Sequence, residues 1–273
     1  MYFCPPQKPK CGKPFSIELG ARGLYTTNIA KIRWDDGTTL DFIQDLEFSA
    51  NNLVGEIYGG IRVAPRIAVI GTFMIPVTEE KNAVLPARLV FDETLFAAGQ
   101  AVTIRSTTAL HRIEGEYFFK IGCRDRIGLL LMGEILQERL EVEGPNALTA
   151  EQAYTRFMMG VGGTAEYAFS ENLFGKVKGA YTFLSDQTGF FVEGQLRLFP
   201  GTVQNCAARP GVPPLPPLPP LPGMSGGARP YFDLGYRVRY STWDLSSEAG
   251  GVDYDYKFDT GVHGPFAAVG IIF

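Results

Sequence analysis

The feature that most restricts the fold is an alternation of apolar and polar side chains at every second residue, repeated along the whole chain. From Phe15 to Tyr25, the residues Phe15, Ile17, Leu19, Ala21, Gly23 and Tyr25 share one face, and Ser16, Glu18, Gly20, Arg22 and Leu24 share the other. A period of two marks a strand, because successive side chains leave opposite faces of a pleated backbone. The same division recurs downstream. Ile57, Ile61 and Val63 oppose Glu56 and Arg62; Ile113, Tyr117 and Phe119 oppose Arg112, Glu114 and Glu116; Ile127 to Ile135 opposes Glu134. Met159 to Phe169 opposes Thr164 and Glu166; Val177 to Phe183 opposes Lys176 and Lys178; Val192 to Leu198 opposes Glu193 and Arg197; Phe232 to Tyr240 opposes Asp233, Arg237 and Arg239. The chain is therefore all-β.

Two environments produce this pattern. In a soluble barrel or sandwich the apolar face points inward. In a membrane barrel it meets lipid and the polar face lines the lumen. Segment length favours the second, since many run to the ~9–11 residues that cross a bilayer when tilted, against the ~5–6 usual in globular proteins. Connections also alternate in length. Short turns at Ala64-Pro65-Arg66, Gly122 to Asp125 and Ser170 to Asn172 separate long polar stretches at Arg33–Asn52, Val77–Gly99, Gln137–Gln152 and Ser246–Gly251. This is the layout of an antiparallel up-and-down transmembrane β-barrel of about ten strands, with eight or twelve as the alternatives. Its expected lumen charges are Glu18, Glu56, Glu114, Glu116, Glu134, Glu166, Glu193 and Asp233 against Arg22, Arg62, Arg112, Lys176, Lys178, Arg197, Arg237 and Arg239. Eight acids face eight bases, which suits a narrow interior filled with ion pairs, because buried charges need partners.

Charge and composition exclude other classes. The net charge of −4 and pI of about 5.4 argue against a general nucleic-acid binder. Two histidines in the whole chain leave little for His-based catalysis or a His-rich metal site. No GxSxG, HExxH or Gly-rich phosphate loop occurs, and neither a metal site nor a cofactor is expected. No apolar run reaches the ~18 residues of a membrane-spanning helix.

The C-terminus, His263 to Phe273, resembles the last strand of bacterial outer-membrane barrels, with a terminal Phe273 and the alternate apolar positions Ile271, Val269 and Ala267 before it. The resemblance implies that Val269, Ile271 and Phe273 form the signal read by the barrel-assembly machinery. It also implies a location in the bacterial outer membrane, in contact with its lipid and lipopolysaccharide. Two features depart from that pattern. No export signal precedes Phe15, so the given sequence is expected to lack its leader. Upstream, Val252, Tyr254, Tyr256, Phe258, Thr260 and Val262 are apolar on the opposite parity, so either a bulge near Gly264-Pro265 switches the face or the register differs there.

Within this layout residues 1–14 form a periplasmic N-terminal segment and 15–273 the barrel, interrupted by a periplasmic Pro-rich insert at 201–229. Pro213 to Pro222 predicts a polyproline II rod of about 31 Å, a spacer or a ligand for a periplasmic partner. Cys4, Cys11, Cys123 and Cys206 all fall on the periplasmic side, where disulfides form; Cys4–Cys11 with Cys123–Cys206 is the simplest of three pairings.

The expected function is a non-enzymatic barrel with a charged, largely occluded lumen, serving envelope structure, surface binding or leak of small solutes. A soluble barrel that binds an apolar ligand is one alternative. An omptin-like rim protease is the other: it would need His111 or His263, and Asp259 lies four residues from His263 on the same face. Asp35-Asp36, Asp253 and Asp255 read as loop or rim acids that keep the loops soluble.

Overall fold

The computed structural model describes residues 15–34, 37, 39–86, 88–91, 94–122, 124–145, 148–170, 172–184, 187–200, 228–249 and 252–273. The strands are β1 (Ser16–Trp34), β2 (Thr39–Asp41), β3 (Asn51–Ala64), β4 (Ile67–Met74), β5 (Val77–Val84), β6 (Leu89–Phe91) and β7 (Thr94–Phe96). They continue with β8 (Ala101–Ile121), β9 (Asp125–Glu143), β10 (Thr149–Ala168), β11 (Leu173–Leu184), β12 (Gln187–Leu198), β13 (Arg229–Ala249) and β14 (Val252–Ile272). Neighbours pair antiparallel in the order β1–β3–β4–β8–β9–β10–β11–β12–β13–β14. Strand β14 then pairs with β1, so the ring of strands closes on itself. Strand β5 extends β4 along the same edge of β8. The ring is thus a closed antiparallel barrel of ten strands, the number read from the sequence.

Between β4 and β5, Pro76 supplies no N–H to the ladder, and the register against β8 slips by one residue. The inward set changes parity there, from Ala68 and Thr72 to Val77 and Glu79. This is where the face switches. Of the two alternatives at Gly264-Pro265, the bulge does not exist: β14 keeps one register against β13 through Pro265↔Tyr236 and Gly264↔Arg237. Gly264 is needed for close approach, since a Cβ there would lie 1.9 Å from the Tyr25 carbonyl oxygen.

The outer face carries a belt of exposed apolar side chains, among them Leu19, Ile57, Val69, Ile113, Leu129, Leu131, Val161, Val177, Val192 and Leu234. Aromatic residues border it. Tyr117, Phe119, Tyr167, Phe169 and Phe273 are exposed at the end where β1 begins and β14 ends, and Tyr25, Phe73, Phe157, Phe183 and Phe190 at the other, the loop end. From Phe157 to Phe169 the chain advances about 40 Å along β10, or about 30 Å along the barrel axis at a usual strand tilt.

Strands β8, β13 and β14 have 21 residues each. That length is about 70 Å, or about 50 Å along the axis, so the barrel rises well beyond the belt. The stretches Val77–Gly99, Gln137–Gln152 and Ser246–Gly251, expected as long loops, therefore hold much strand: β5 to β7, the far halves of β9 and β10, and the end of β13. Their outer face is polar, so the apolar-out pattern ends although backbone pairing continues. Arg105 pairs there with Glu80 at 2.6 Å and Glu141 at 3.1 Å, and Arg139 with Glu141 and Glu151, both at 2.9 Å.

The inner face reverses at the same height. Ile32, Leu40, Phe42, Leu46, Phe48, Leu85, Leu89, Phe96, Ile104 and Val142 pack into one apolar cluster inside the loop end, with Phe258 against it. Asp41 ties this loop, its Oδ1 accepting the backbone N–H groups of Ile43 at 2.9 Å and Gln44 at 3.1 Å. Glu47 adopts φ 56° between buried Leu46 and Phe48. Phe258 and Val262 of β14 thus face inward because this part of the barrel packs like a soluble core.

Candidate functional site

All sixteen charges expected in the lumen point inward from the belt-height strands, and the fold arranges them in two tiers. Nearer the termini, Arg197 reaches Glu18 at 2.7 Å and Asp233 at 2.8 Å. Lys176 reaches Glu116 at 2.6 Å and Glu166 at 3.4 Å, and Arg62 reaches Glu166 at 3.2 Å. Tyr231 donates its hydroxyl to Glu18 at 2.7 Å and lies 2.8 Å from the Tyr58 hydroxyl.

The second tier fills mid-barrel and centres on Glu193, which is 1% exposed. Its carboxylate meets Arg22 at 2.8 Å, Arg237 at 2.7 Å, Lys178 at 3.2 Å and Arg112 at 3.9 Å. Around it Glu56 binds Arg237 at 2.5 Å, Glu114 binds Lys178 and Arg112 at 2.7 Å, and Glu134 binds Arg239 at 3.1 Å. Phe191 supplies an aromatic face 4.3 Å from the Arg112 guanidinium, and Phe266 lies 4.3 Å from that of Arg22. These side chains cross the lumen from opposite walls and interlock, leaving a charged plug.

Alternation on a known strand face made these residues legible. Inward charges that escaped, Glu79 of β5 among them, sit where the pattern starts or ends. Arg126, at the foot of β9, pairs with Glu166 at 3.4 Å. Glu138 and Arg156 lie above the belt, where the outward neighbours Gln137 and Thr155 are polar. With Arg126 the network holds nine bases and eight acids among the described residues.

Above the plug and beneath the apolar cluster lies a cavity of about 240 Å³. Its walls include Leu24, Ile32, Phe42, Phe48, Leu140, Trp34, Trp243 and Phe258, and its polar lining includes Glu138, Arg156, Arg237 and Arg239. Among the described residues Arg156 makes no ion pair within 4 Å; its guanidinium stacks 4.8 Å from both the Tyr154 and the Trp243 rings. Burial pushes the Glu138 carboxyl up to about 7, against the opposing pull of Arg239 and Arg156.

The other expected residues are dispersed. His111 faces outward on β8 with its ring 5.6 Å from that of Phe73. His263 faces outward on β14, its Nδ1 2.7 Å from the Tyr236 hydroxyl. Asp259 stands four residues, about 13 Å, further along the strand. It is engaged by Arg33 at 2.6 Å and by the Thr242 hydroxyl at 2.8 Å. Val269 and Phe273 of the terminal strand are half-exposed on the outer face, while Ile271 is partly buried. Cys4, Cys11, Cys123, Cys206, the segment 1–14, the proline rod at 213–222 and Asp35-Asp36 lie outside the described residues. Among the described residues, no group of acidic, His or Cys side chains is placed to hold a metal ion.

No family model matches the chain, and no curated protein does. Solved structures that it resembles include the outer membrane protease OmpT from Escherichia coli, at 9% identity and a TM-score of 0.49, covering 94% of this chain and 96% of that one. The attachment invasion locus protein Ail of Yersinia pestis matches at 9% identity and 0.34, covering 92% and 98%. A Pseudomonas aeruginosa FadL homologue matches at 8% and 0.34, covering 95% and 90%. At these identities and TM-scores none of the three bears on what this chain does.

Proposed function

We propose that this protein is a bacterial outer-membrane barrel whose interior is closed to bulk solutes, and that it acts by binding at its loop end rather than by conduction or catalysis. The observation that carries the membrane reading is the exposed apolar belt. It encircles the barrel between two aromatic borders at about the ~25 Å height of the lipid-facing band of such proteins. Monomeric soluble proteins seldom expose a contiguous apolar patch beyond a few hundred Å². Lipid is the medium that removes the conflict, and it also explains why polar-out, apolar-in packing returns above the belt. The alternative of a soluble barrel would leave Leu131, Val161 and Leu234 in water.

Occlusion rests on the plug. Side chains of Arg22, Arg112, Lys178 and Arg237 meet on the single carboxylate of Glu193 in mid-lumen. Ten strands enclose little more than the eight whose interior side chains fill. The termini then lie in the periplasm and the long connections outside the cell, with β14 offering Val269, Ile271 and Phe273 to the assembly machinery and the outer ladder meeting lipopolysaccharide. The test is conductance across a planar bilayer. The refolded protein is expected to give no steady single-channel steps, and reproducible steps would overturn the closed-lumen reading.

A further inference from the structure

We infer that the cavity between the plug and the apolar cluster is a binding site for a small apolar carboxylate, its hydrocarbon part against Ile32, Phe42, Leu140 and Phe258 and its carboxylate toward Arg156. Four observations converge on this chemistry. The walls of the upper cavity are aliphatic and aromatic, which suits a hydrocarbon rather than a sugar or a nucleotide. The charge balance is positive by one: the mid-barrel tier below holds Arg22, Arg112, Lys178, Arg237 and Arg239 against Glu56, Glu114, Glu134 and Glu193, and the cavity lining holds four arginines against Glu56, Glu79 and Glu138. Arg156 adds a further cation that makes no ion pair within 4 Å among the described residues, with Glu138 as the acid facing it, and its Nε is buried with no hydrogen-bond acceptor among them. Finally Trp243, 1% exposed and lining the same cavity, has an indole N–H with no acceptor among the described residues.

An unpaired buried donor costs free energy, and an unpaired cation costs more. A carboxylate supplies acceptors for both groups at once, and the guanidinium fork of Arg156 matches its geometry. Size narrows the class. An apolar cavity of about 150 Å³ takes up benzene, so 240 Å³ accommodates about ten non-hydrogen atoms. That is a medium-chain fatty acid or a small aryl acid, and it is too small for a diacyl lipid. The inference rests on the reading that this face of the barrel is the inner one; failure to fold in vesicles would count against that reading, and a folded chain that binds no octanoate against the inference alone.

The chain carries its own reporter. It has two tryptophans, Trp34 and Trp243, and both line the cavity. The experiment uses full-length protein refolded into vesicles of uncharged phospholipid, with folding checked by a mobility change on boiling. Tryptophan emission is followed during titration with octanoate, 1-octanol and octylammonium, which share a chain and differ in head charge. Octanoate is expected to give a saturable change. Octanol is expected to bind about tenfold more weakly, and octylammonium to give no saturable change. In Arg156→Gln the octanoate affinity is expected to fall to that of octanol, whose own affinity stays within about twofold, while Arg156→Lys keeps most of the preference. Superimposable curves for the three ligands, or no saturation with octanoate, would overturn the proposal. So would unchanged octanoate binding in a folded Arg156→Gln. If Arg156→Gln does not fold, the three-ligand comparison on the unaltered chain decides alone.

Discussion

The position of the belt along β9 can be tested residue by residue with arginine. The outward residues of this strand run Ile127, Leu129, Leu131, Gly133, Ile135, Gln137 and Arg139. Leu131 is 63% exposed and stands between Gly115 on β8 and Val161 on β10, so its surroundings at mid-belt are apolar. Gln137 stands between Ala109 and Thr155. From Leu131 to Gln137 the strand climbs about 15 Å along the axis, more than half of a ~25 Å apolar band. Arginine at the bilayer midplane of a barrel costs about 2–4 kcal/mol, falling to about 0–1 near the interface. Leu131→Arg should therefore destabilise by about 3 kcal/mol, Ile135→Arg by about half of that, and Gln137→Arg by less than 1. Urea titration of the refolded protein in vesicles, read as the fraction that keeps folded mobility, gives the three values. A flat profile would refute the reasoning, as would a maximum at Gln137, because the steepness comes from lipid contact and not from any contact with the barrel wall.

Further outcomes follow from the interior and the rim. Glu193→Gln removes the acid on which four buried cations converge, and should cost about 3–5 kcal/mol in the same assay. Adding Arg22→Gln should cost less than the two single effects together, since the second change removes one of the stranded charges. On the outer ladder, Arg105→Gln removes exposed pairs to Glu80 and Glu141 and should leave the urea midpoint nearly unchanged, with any difference shrinking in high salt. Octanoate binding should weaken as pH rises through about 7, where the Glu138 carboxyl ionises and competes for the cations facing it, Arg156 on β10 and Arg239 on β13. Tyr154 opposite it on β10 and Thr108 on β8 add no charge there. If the ligand needs neutral Glu138, affinity at pH 8 is about tenfold below that at pH 6 by linkage, and Glu138→Gln flattens the profile. An unaltered slope in Glu138→Gln would assign the pH effect to another group.

The wall of the barrel was legible because its two faces meet opposite media. Wherever lipid-height residues alternate, as in Met159 to Phe169, one reading places every side chain, and the charges opposite become the plug. Legibility ended where the outer medium changes from apolar to aqueous. Past Gln137, Thr155 and Thr107 the outer face becomes polar, so strand looks like loop in the sequence although β8, β9 and β10 remain paired. The same change hid the apolar cluster, because Phe42, Leu46 and Phe48 come from a connection and not from an alternating strand. It also made Phe258 and Val262 look out of phase with Val269, when all three keep one register and only the preferred side reverses. The bulge at Gly264-Pro265, one of the two readings of that parity, is absent, and the slip at Pro76 went unread. A proline on an antiparallel strand breaks the ladder on one side only, and the pairing partners on each side decide whether the register recovers. Glu138 and Arg156 were missed for a related reason: the cavity that gives them meaning is formed by a plug below and a loop cluster above, which no local pattern encodes.

The measurement that tests the central claim most directly is the electrophoretic mobility of the refolded chain, with and without boiling, after refolding in the presence and absence of lipid or detergent. A closed barrel with its apolar belt outward should form only when lipid or detergent is present, resist unfolding by the gel detergent, and shift in mobility on boiling. A stable, monomeric fold obtained in plain buffer, with no shift on boiling, would contradict the account: the belt would then face inward, and the charges assigned to the plug would be surface charges.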